Sequence, residues 1–301
     1  MTPWPSIGVV VPTRDRPEQL RRALAAIIAQ DYAGHVEVLV VFDGRDADPS
    51  LASDRVHTTT NSRRPGLAGA RNTGILAART DLVAFCDDDD QWLPGKLTAQ
   101  AHRLMTASAG DVVTCDIVVD YDGRSTVRTA GAPVVTHEQL VRSRMAALHS
   151  STFVIRKAAL LGHVGLVDEA IPGSQGEDWD LLLRASRSAP ILHVRRPLAR
   201  VSWSRASYFA REWESKIAST VWMLDRHPEI ARDRAGSARL YGQLAFAHAA
   251  AGARGDALTW AWRAVRRRPW EARVGLALAV ATGLISSDAI LDFLHRRGRG
   301  V

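Results

Sequence analysis

Cysteine is scarce: only Cys86 and Cys115 occur in 301 residues, each inside an apolar run, "VAFCD" and "VVTCDIVV". Two separate thiols leave no disulfide framework and no cysteine-rich metal cage, and they fit buried, reduced side chains in a cytosolic protein. Phosphate-cradling glycine patterns are missing too. No G-x-G-x-x-G follows the first strand-like run, which disfavours a dinucleotide-binding site, and no G-x-x-x-x-G-K-[ST] loop occurs. The chain does not open with a basic segment followed by a long apolar one, so no secretory signal is expected. Its longest late apolar run, Val274 to Ile285, has 12 residues, against the roughly 20 of a spanning helix. Zinc-finger spacing and RNA-reading aromatic motifs are absent, so nucleic acid is not an expected partner.

What is present describes a globular chain. Hydrophobic residues make up 46%, enough to bury a sizeable core. Lys and Arg number 39 against 32 Asp and Glu. Much of that excess lies late, in "WRAVRRRPWEAR" and the terminal "LHRRGRG". "SIGVVVPT" reads as a strand, and "PEQLRRALAAIIAQ" as a helix opened by Pro17, with Leu20, Leu24, Ile27 and Ile28 at helical spacing. "VEVLVVFD" is a second strand, "RVHTTT" a short third, "GLAGARNTGILAAR" a helix and "LVAFC" a buried fourth strand. This alternation predicts a parallel sheet covered by helices, with a mixed extension after about residue 110. From Tyr208 onward the pattern is helical, with a boundary expected in "RHPEIARDRAGS". One imperfect tetratricopeptide-like spacing, Tyr241, Leu244, Ala257, Ala264 and Pro269, is read as an ordinary helical hairpin, since repeat arrays need about three units.

Ligands bind open parallel sheets beyond the carboxyl ends of the strands. The polar residues there are Thr13, Arg14 and Asp15, then Asp43, then Asp87 to Asp90. Four consecutive carboxylates repel one another unless something positive meets them. If the strand alternation continues, Asp87 and Asp89 project to one side and Asp88 and Asp90 to the other. Oxygen-only ligands suit Mg²⁺ or Mn²⁺, with a substrate diphosphate completing the shell. A solvated acidic loop is the competing reading, weakened by the position at the end of a buried strand. A D-x-D phosphatase is another, weakened because the motif follows the fourth strand and runs into Gln91. In "GSQGEDWDLLLR", Glu177, Asp178 and Asp180 sit where a helix begins, and the macrodipole alone stabilises carboxylates there.

Five ordered motifs, "VVVPTRDRPEQLRRAL", "VLVVFDG", "GLAGARNTGI", "VAFCDDDDQWLPGKL" and "GEDWDLLLR", resemble those of inverting family-2 glycosyltransferases of GT-A fold. The resemblance implies an α/β fold: a Rossmann-like, mostly parallel sheet flanked by helices, with an all-helical C-terminal extension. It implies a catalytic domain over residues 1–205, with a nucleotide-sugar half to about 110 and an acceptor half to 205, and an extension over 206–301. It places Pro12, Thr13, Arg14, Asp43, Arg71, Asp87 and Asp88 at the donor nucleotide, and Asp89 with Asp87 on a Mn²⁺ or Mg²⁺ ion. Asp178 becomes the general base with Glu177 beside it, and His149 and Trp179 border the acceptor. Trp92 and Lys96 are expected to serve packing and the helix start. The implied partners are a nucleoside-diphosphate sugar, UDP-sugar foremost, and a hydroxyl-bearing glycan or lipid-linked acceptor. The implied setting is cytoplasmic synthesis of polysaccharide, glycolipid or envelope glycan at the inner face of the membrane, where Trp260, Trp262, Trp270 and Arg266 to Arg268 permit peripheral contact. Two rivals stand beside it: a catalytically silent nucleotide-sugar binder, and a nucleotidyltransferase, whose glycine-rich loop is lacking after the first strand.

Overall fold

The computed structural model describes residues 3–203 and 212–297. Ten strands form one sheet: β1 (Ile7–Thr13), β2 (Val36–Phe42), β3 (Val56–Thr60), β4 (Leu82–Phe85), β5 (Gln91–Trp92), β6 (Val112–Tyr121), β7 (Arg124–Arg128), β8 (Val134–Val135), β9 (Val154–Arg156) and β10 (Ile191–Ser202). The helices of the sheet region are α1 (Pro17–Ile28), α2 (Leu67–Ala77), α3 (Lys96–Thr106), α4 (His137–Arg142), α5 (Lys157–Leu161) and α6 (Glu177–Ser186). Those that follow are α7 (Trp213–Arg226), α8 (Pro228–Arg232), α9 (Arg234–Ala250), α10 (Arg254–Arg267), α11 (Ala272–Ala281) and α12 (Ser287–His295).

The strand order is β3-β2-β1-β4-β9-β6-β10-β5. β3, β2, β1 and β4 are mutually parallel, as the strand–helix alternation predicts. β9 then runs antiparallel to both β4 and β6, while β6 and β10 are parallel, giving the expected mixed extension. All seven residues of β1 are buried because it lies between β2 and β4 under helices. α1 starts at Pro17, whose missing N–H costs nothing there, and buries Leu20, Ala23, Leu24 and Ile27. Ile28, expected on that stripe, is exposed at its end.

α2 lies unusually close to its neighbours, and two glycines permit it. A β-carbon at Gly74 would sit 2.4 Å from Val10 Cγ1, and one at Gly69 would sit 1.9 Å from the Arg64 carbonyl oxygen. That approach carries Arg71 to the carboxyl end of the sheet.

The late helices divide their apolar faces. Met223, Ile230 and Leu240 join the core that contains Leu140, Val141, Trp179 and Leu181. Phe246, Ala261, Ala264, Val274, Ala277 and Ile290 form a smaller core of their own. α9 packs on both α10 and α11, the helical hairpin predicted from the sequence. The junction expected at residues 205 and 206, and Tyr208, lie outside the described residues.

Candidate active site

The carboxyl ends of β1, β2 and β4 lie side by side, so their polar residues share one rim. Thr13 ends β1 and donates its hydroxyl to Asp88 Oδ2 at 2.7 Å. Pro12 is buried within the strand opposite Val41. Asp43, just past β2, accepts from Asn61 Nδ2 at 2.7 Å and from the Gly66 amide at 3.0 Å. It thereby fixes the entry to α2. Arg14 is largely exposed and only 4.0 Å from Asp43. Beside Thr13 opens a cavity of about 200 Å³, lined in part by Arg16, Phe42, Arg45 and Asp48.

The acidic run leaves β4 and turns at once, the Asp90 amide donating to the Asp87 carbonyl at 3.1 Å. Burial keeps the expected alternation: Asp88 and Asp90 are buried, Asp87 and Asp89 half-buried. The partners do not follow it. Arg16 donates to Asp88 at 3.2 Å and to Asp89 at 2.6 Å, spanning both sets. Asp90 accepts from Ser151 Oγ at 2.5 Å and the Ser202 amide at 3.2 Å, with His149 Nδ1 3.3 Å away. Burial and the charges of Asp89 and Asp87 push Asp90 well above the usual carboxylate range. Burial likewise raises Asp88 and Asp89, with Arg16 opposing. Asp87 alone in the run goes down, because Arg71 and His149 outweigh its burial.

Arg71 joins this run to the second acidic motif. Its side chain is 1% exposed; Nη2 donates to Asp87 Oδ1 at 2.6 Å and to Ser150 Oγ at 2.9 Å, and Nη1 donates to Glu177. Ser150 in turn donates to the other oxygen of Asp87 at 3.0 Å. The next residue, Asn72, pins the chain opposite, exchanging hydrogen bonds with both the amide and the carbonyl of Val167. α2 thus holds the segment that leads to α6.

Gly176, with φ +91°, turns the chain into α6, and Glu177 and Asp178 occupy its first turn. Asp178 Oδ2 accepts from Arg144 Nη2 at 2.6 Å. Against its burial, Arg144 and His149 hold Asp178 below the usual range, whereas burial lifts Glu177 to about 7 in spite of Arg71. Asp180 points the other way, paired with Arg184 and with buried His227 at 2.8 Å. Trp179 is buried in the main core and donates its indole N–H to the Leu140 carbonyl at 3.0 Å. His149 faces the acidic run, 3.3 Å from Asp90, its Nδ1 accepting from the Ser151 amide at 3.3 Å.

Single donor atoms of Asp87, Asp90 and His149 lie within 4.8 Å of one another. Two carboxylates and an imidazole suit a divalent ion, and burial raises Asp90, one of the three, which a bound cation would offset. The residues fit such an ion. Asp89 is adjacent but engaged by Arg16. Arg16 and Arg144 escaped the sequence reading, as did Ser150 and Ser151. For Arg16 a signal existed, a cation three residues beyond Thr13 at a strand end.

The sequence profile described as Glycosyl transferase family 2 matches residues 8–160, half of the chain, spanning β1 to α5 and the whole acidic run. The chain belongs to glycosyl transferase family 2. Among relatives, the succinoglycan biosynthesis protein ExoO of Rhizobium meliloti is 36% identical over 126 residues, 40% of this chain and 36% of ExoO. The UDP-Glc:alpha-D-GlcNAc-diphosphoundecaprenol beta-1,3-glucosyltransferase WfgD of Escherichia coli is 27% identical over 105 residues, 33% of this chain and 41% of WfgD. The chain therefore spans less than half the length of these relatives. Among solved structures, S. aureus TarS residues 1–349 in complex with UDP superposes with a TM-score of 0.63 at 19% identity, covering 92% of this chain and 88% of that one. At that identity the likeness concerns the fold, a GT-A α/β sheet followed by helices.

Proposed function

We propose that this family-2 chain transfers a sugar from a nucleoside diphosphate, UDP foremost, to a hydroxyl of a glycan or lipid-linked acceptor, with inversion, in polysaccharide or envelope-glycan synthesis. The observation that carries the reading is Arg71: one buried guanidinium holds both Asp87 of the acidic run and Glu177 beside Asp178. Two motifs 90 residues apart in sequence, Asp87 and Glu177, thus become one site. The names of WfgD and of the TarS complex point the donor toward UDP.

In this reading the nucleotide lies along Thr13, Arg14 and Asp43, and its diphosphate meets Asp87 to Asp89. Mn²⁺ or Mg²⁺, held by Asp89 or by the group Asp87, Asp90 and His149, would supply Lewis-acid stabilisation of the departing diphosphate. Arg16 adds fixed positive charge at the same edge. The acceptor oxygen attacks the anomeric carbon as the bond to phosphate breaks, the electron pair leaves on the β-phosphate, and Asp178 takes the hydroxyl proton. Attack opposite the leaving group inverts the carbon. Asp178 is ionised at neutral pH, which a base requires, but Arg144 occupies one of its oxygens. Glu177, pushed up to about 7, is committed to Arg71 and is read as its support.

Asp178→Asn separates the roles. Proton removal by a placed base contributes about 10²- to 10⁴-fold, so turnover should fall by that order while donor affinity stays within about twofold. Initial rates of UDP release from a panel of UDP-sugars, measured with acceptor-containing envelope extract, check it. An equal loss of donor binding would contradict the assignment.

A further inference from the structure

α9 crosses the end of α4 so tightly that a β-carbon at Gly236 would lie 2.4 Å from the Val141 carbonyl oxygen. Three residues beyond Gly236, on the same helical face, stands Arg239, and three beyond Val141 stands Arg144. One turn further along α9, a β-carbon at Gly242 would lie 2.9 Å from Arg273 Cβ, which brings the start of α11 to the same face. The charges of Arg273 and Arg144 both act on Arg239, so the three basic side chains are neighbours where the late helices meet the loop beside Asp178.

Their compensation is incomplete. Arg144 is paired with Asp178, and Arg273 Nη1 with Glu271 at 2.6 Å. Arg273 Nε is buried without a hydrogen-bond partner. Arg239 is half-buried, and among the described residues it has no hydrogen bond or ion pair. Burial and the neighbouring charges of Arg273 and Arg144 push it down to about 10, with Glu271 opposing. A half-buried, unpaired guanidinium beside two others is costly unless anionic charge joins it, and here only Glu271 opposes it. Guanidinium forks match the spread oxygens of phosphate.

We propose that Arg239, Arg273 and Arg144 form a site for a phosphate or diphosphate group carried by the acceptor. An anion seated there competes with Asp178 for Arg144, so acceptor binding frees the oxygen that Arg144 covers. The assignment to the acceptor rests on the transferase reading; the anion site does not. Such a group comes either from a lipid diphosphate or from a phosphate within a glycan.

Calorimetric titration of inorganic pyrophosphate into the full chain in EDTA tests it. Saturable binding is expected, weakened about tenfold or more in Arg239→Gln and in Arg273→Gln, partly kept in Arg239→Lys, and unchanged in Asp89→Ala. UDP binding with Mn²⁺ should show the opposite sensitivity, lost in Asp89→Ala and kept in Arg239→Gln. Failure of the donor reading and failure of the anion site thus register in different titrations. Farnesyl diphosphate binding more tightly than pyrophosphate would assign the group to a lipid; glycerol 3-phosphate binding as well as either would assign it to a glycan phosphate. No pyrophosphate binding, or equal binding to wild type and both glutamine variants, would overturn the proposal.

Discussion

At the scale of single residues, two buried cations behave differently because one has partners and the other has none. Arg71 meets two carboxylates and a serine through its terminal nitrogens, so its charge is compensated although Nε has no hydrogen-bond partner. Lys96, at the start of α3, is fully buried, and its Nζ has no hydrogen-bond partner, resting only 4.0 Å above the Trp92 ring. Burial pushes it from 10.5 down to about 8, with Cys115 and Cys86 nearby. Such a shift corresponds to roughly 3 kcal/mol, of which the contact with the ring returns about 2 kcal/mol. Lys96→Met is therefore expected to stabilise the fold by about 1 kcal/mol at pH 7. A base with a depressed pKa is penalised fully below the folded value, and the penalty fades as pH climbs toward the unfolded one. The gain should accordingly shrink between about pH 8 and pH 10.5. Urea unfolding at pH 7 and pH 10 measures it, and a destabilised variant at pH 7 would mean that Nζ makes a stronger interaction than the ring contact. Sequence reading placed Lys96 correctly at a helix start but gave no hint of its burial, because exposure at a first helical turn depends on what packs above it.

At the scale of elements, the parallel half was legible because each piece announces itself locally: an unbroken β-branched strand, Pro17 at a helix start, glycines wherever α2 meets its neighbours. The short strands β5, β7 and β8 were not: β5 and β8 have two residues each, and β7, Arg124–Arg128, is polar and largely exposed, so none stands out as an apolar run. β5 lies inside the acidic motif itself, where Trp92 pairs with Ala199 of β10 and donates its indole N–H to the Ser151 carbonyl at 2.9 Å. The site divides in the same way. Carboxylates at a strand end and a helix start were readable from their positions. Arg16 and Arg144 were not assigned, because which cation reaches which carboxylate is decided by tertiary contacts. The α4–α9 crossing yields a prediction of its own. Gly236→Ala forces the two backbones apart and should destabilise by about 1 to 3 kcal/mol. Thermal unfolding followed by circular dichroism reads the loss; an unchanged midpoint would show that α9 is free to shift.

At the scale of the whole molecule, the sheet gathers Thr13, Asp43 and the acidic run at one rim, while α9 to α12 present a different surface. Trp270 is 90% exposed and Trp262 58% exposed. Arg266 stacks over Trp262 and Arg263 over Trp260. No helix among the described residues is long and apolar enough to cross a membrane. Aromatic and basic side chains together suit an anionic lipid surface. Co-sedimentation with phosphatidylglycerol vesicles at low salt should therefore occur and fall by half or more in a Trp262→Ser, Trp270→Ser variant; protein left in the supernatant at low salt would rule the contact out. The central claim concerns the acidic run, and calorimetric titration of UDP with and without Mn²⁺ tests it most directly, with GDP and dTDP as comparisons. The account predicts binding that requires the metal and is weakened about tenfold or more by Asp89→Ala. Folded protein that binds none of these nucleotides, or binds UDP equally without metal and in the variant, would contradict it.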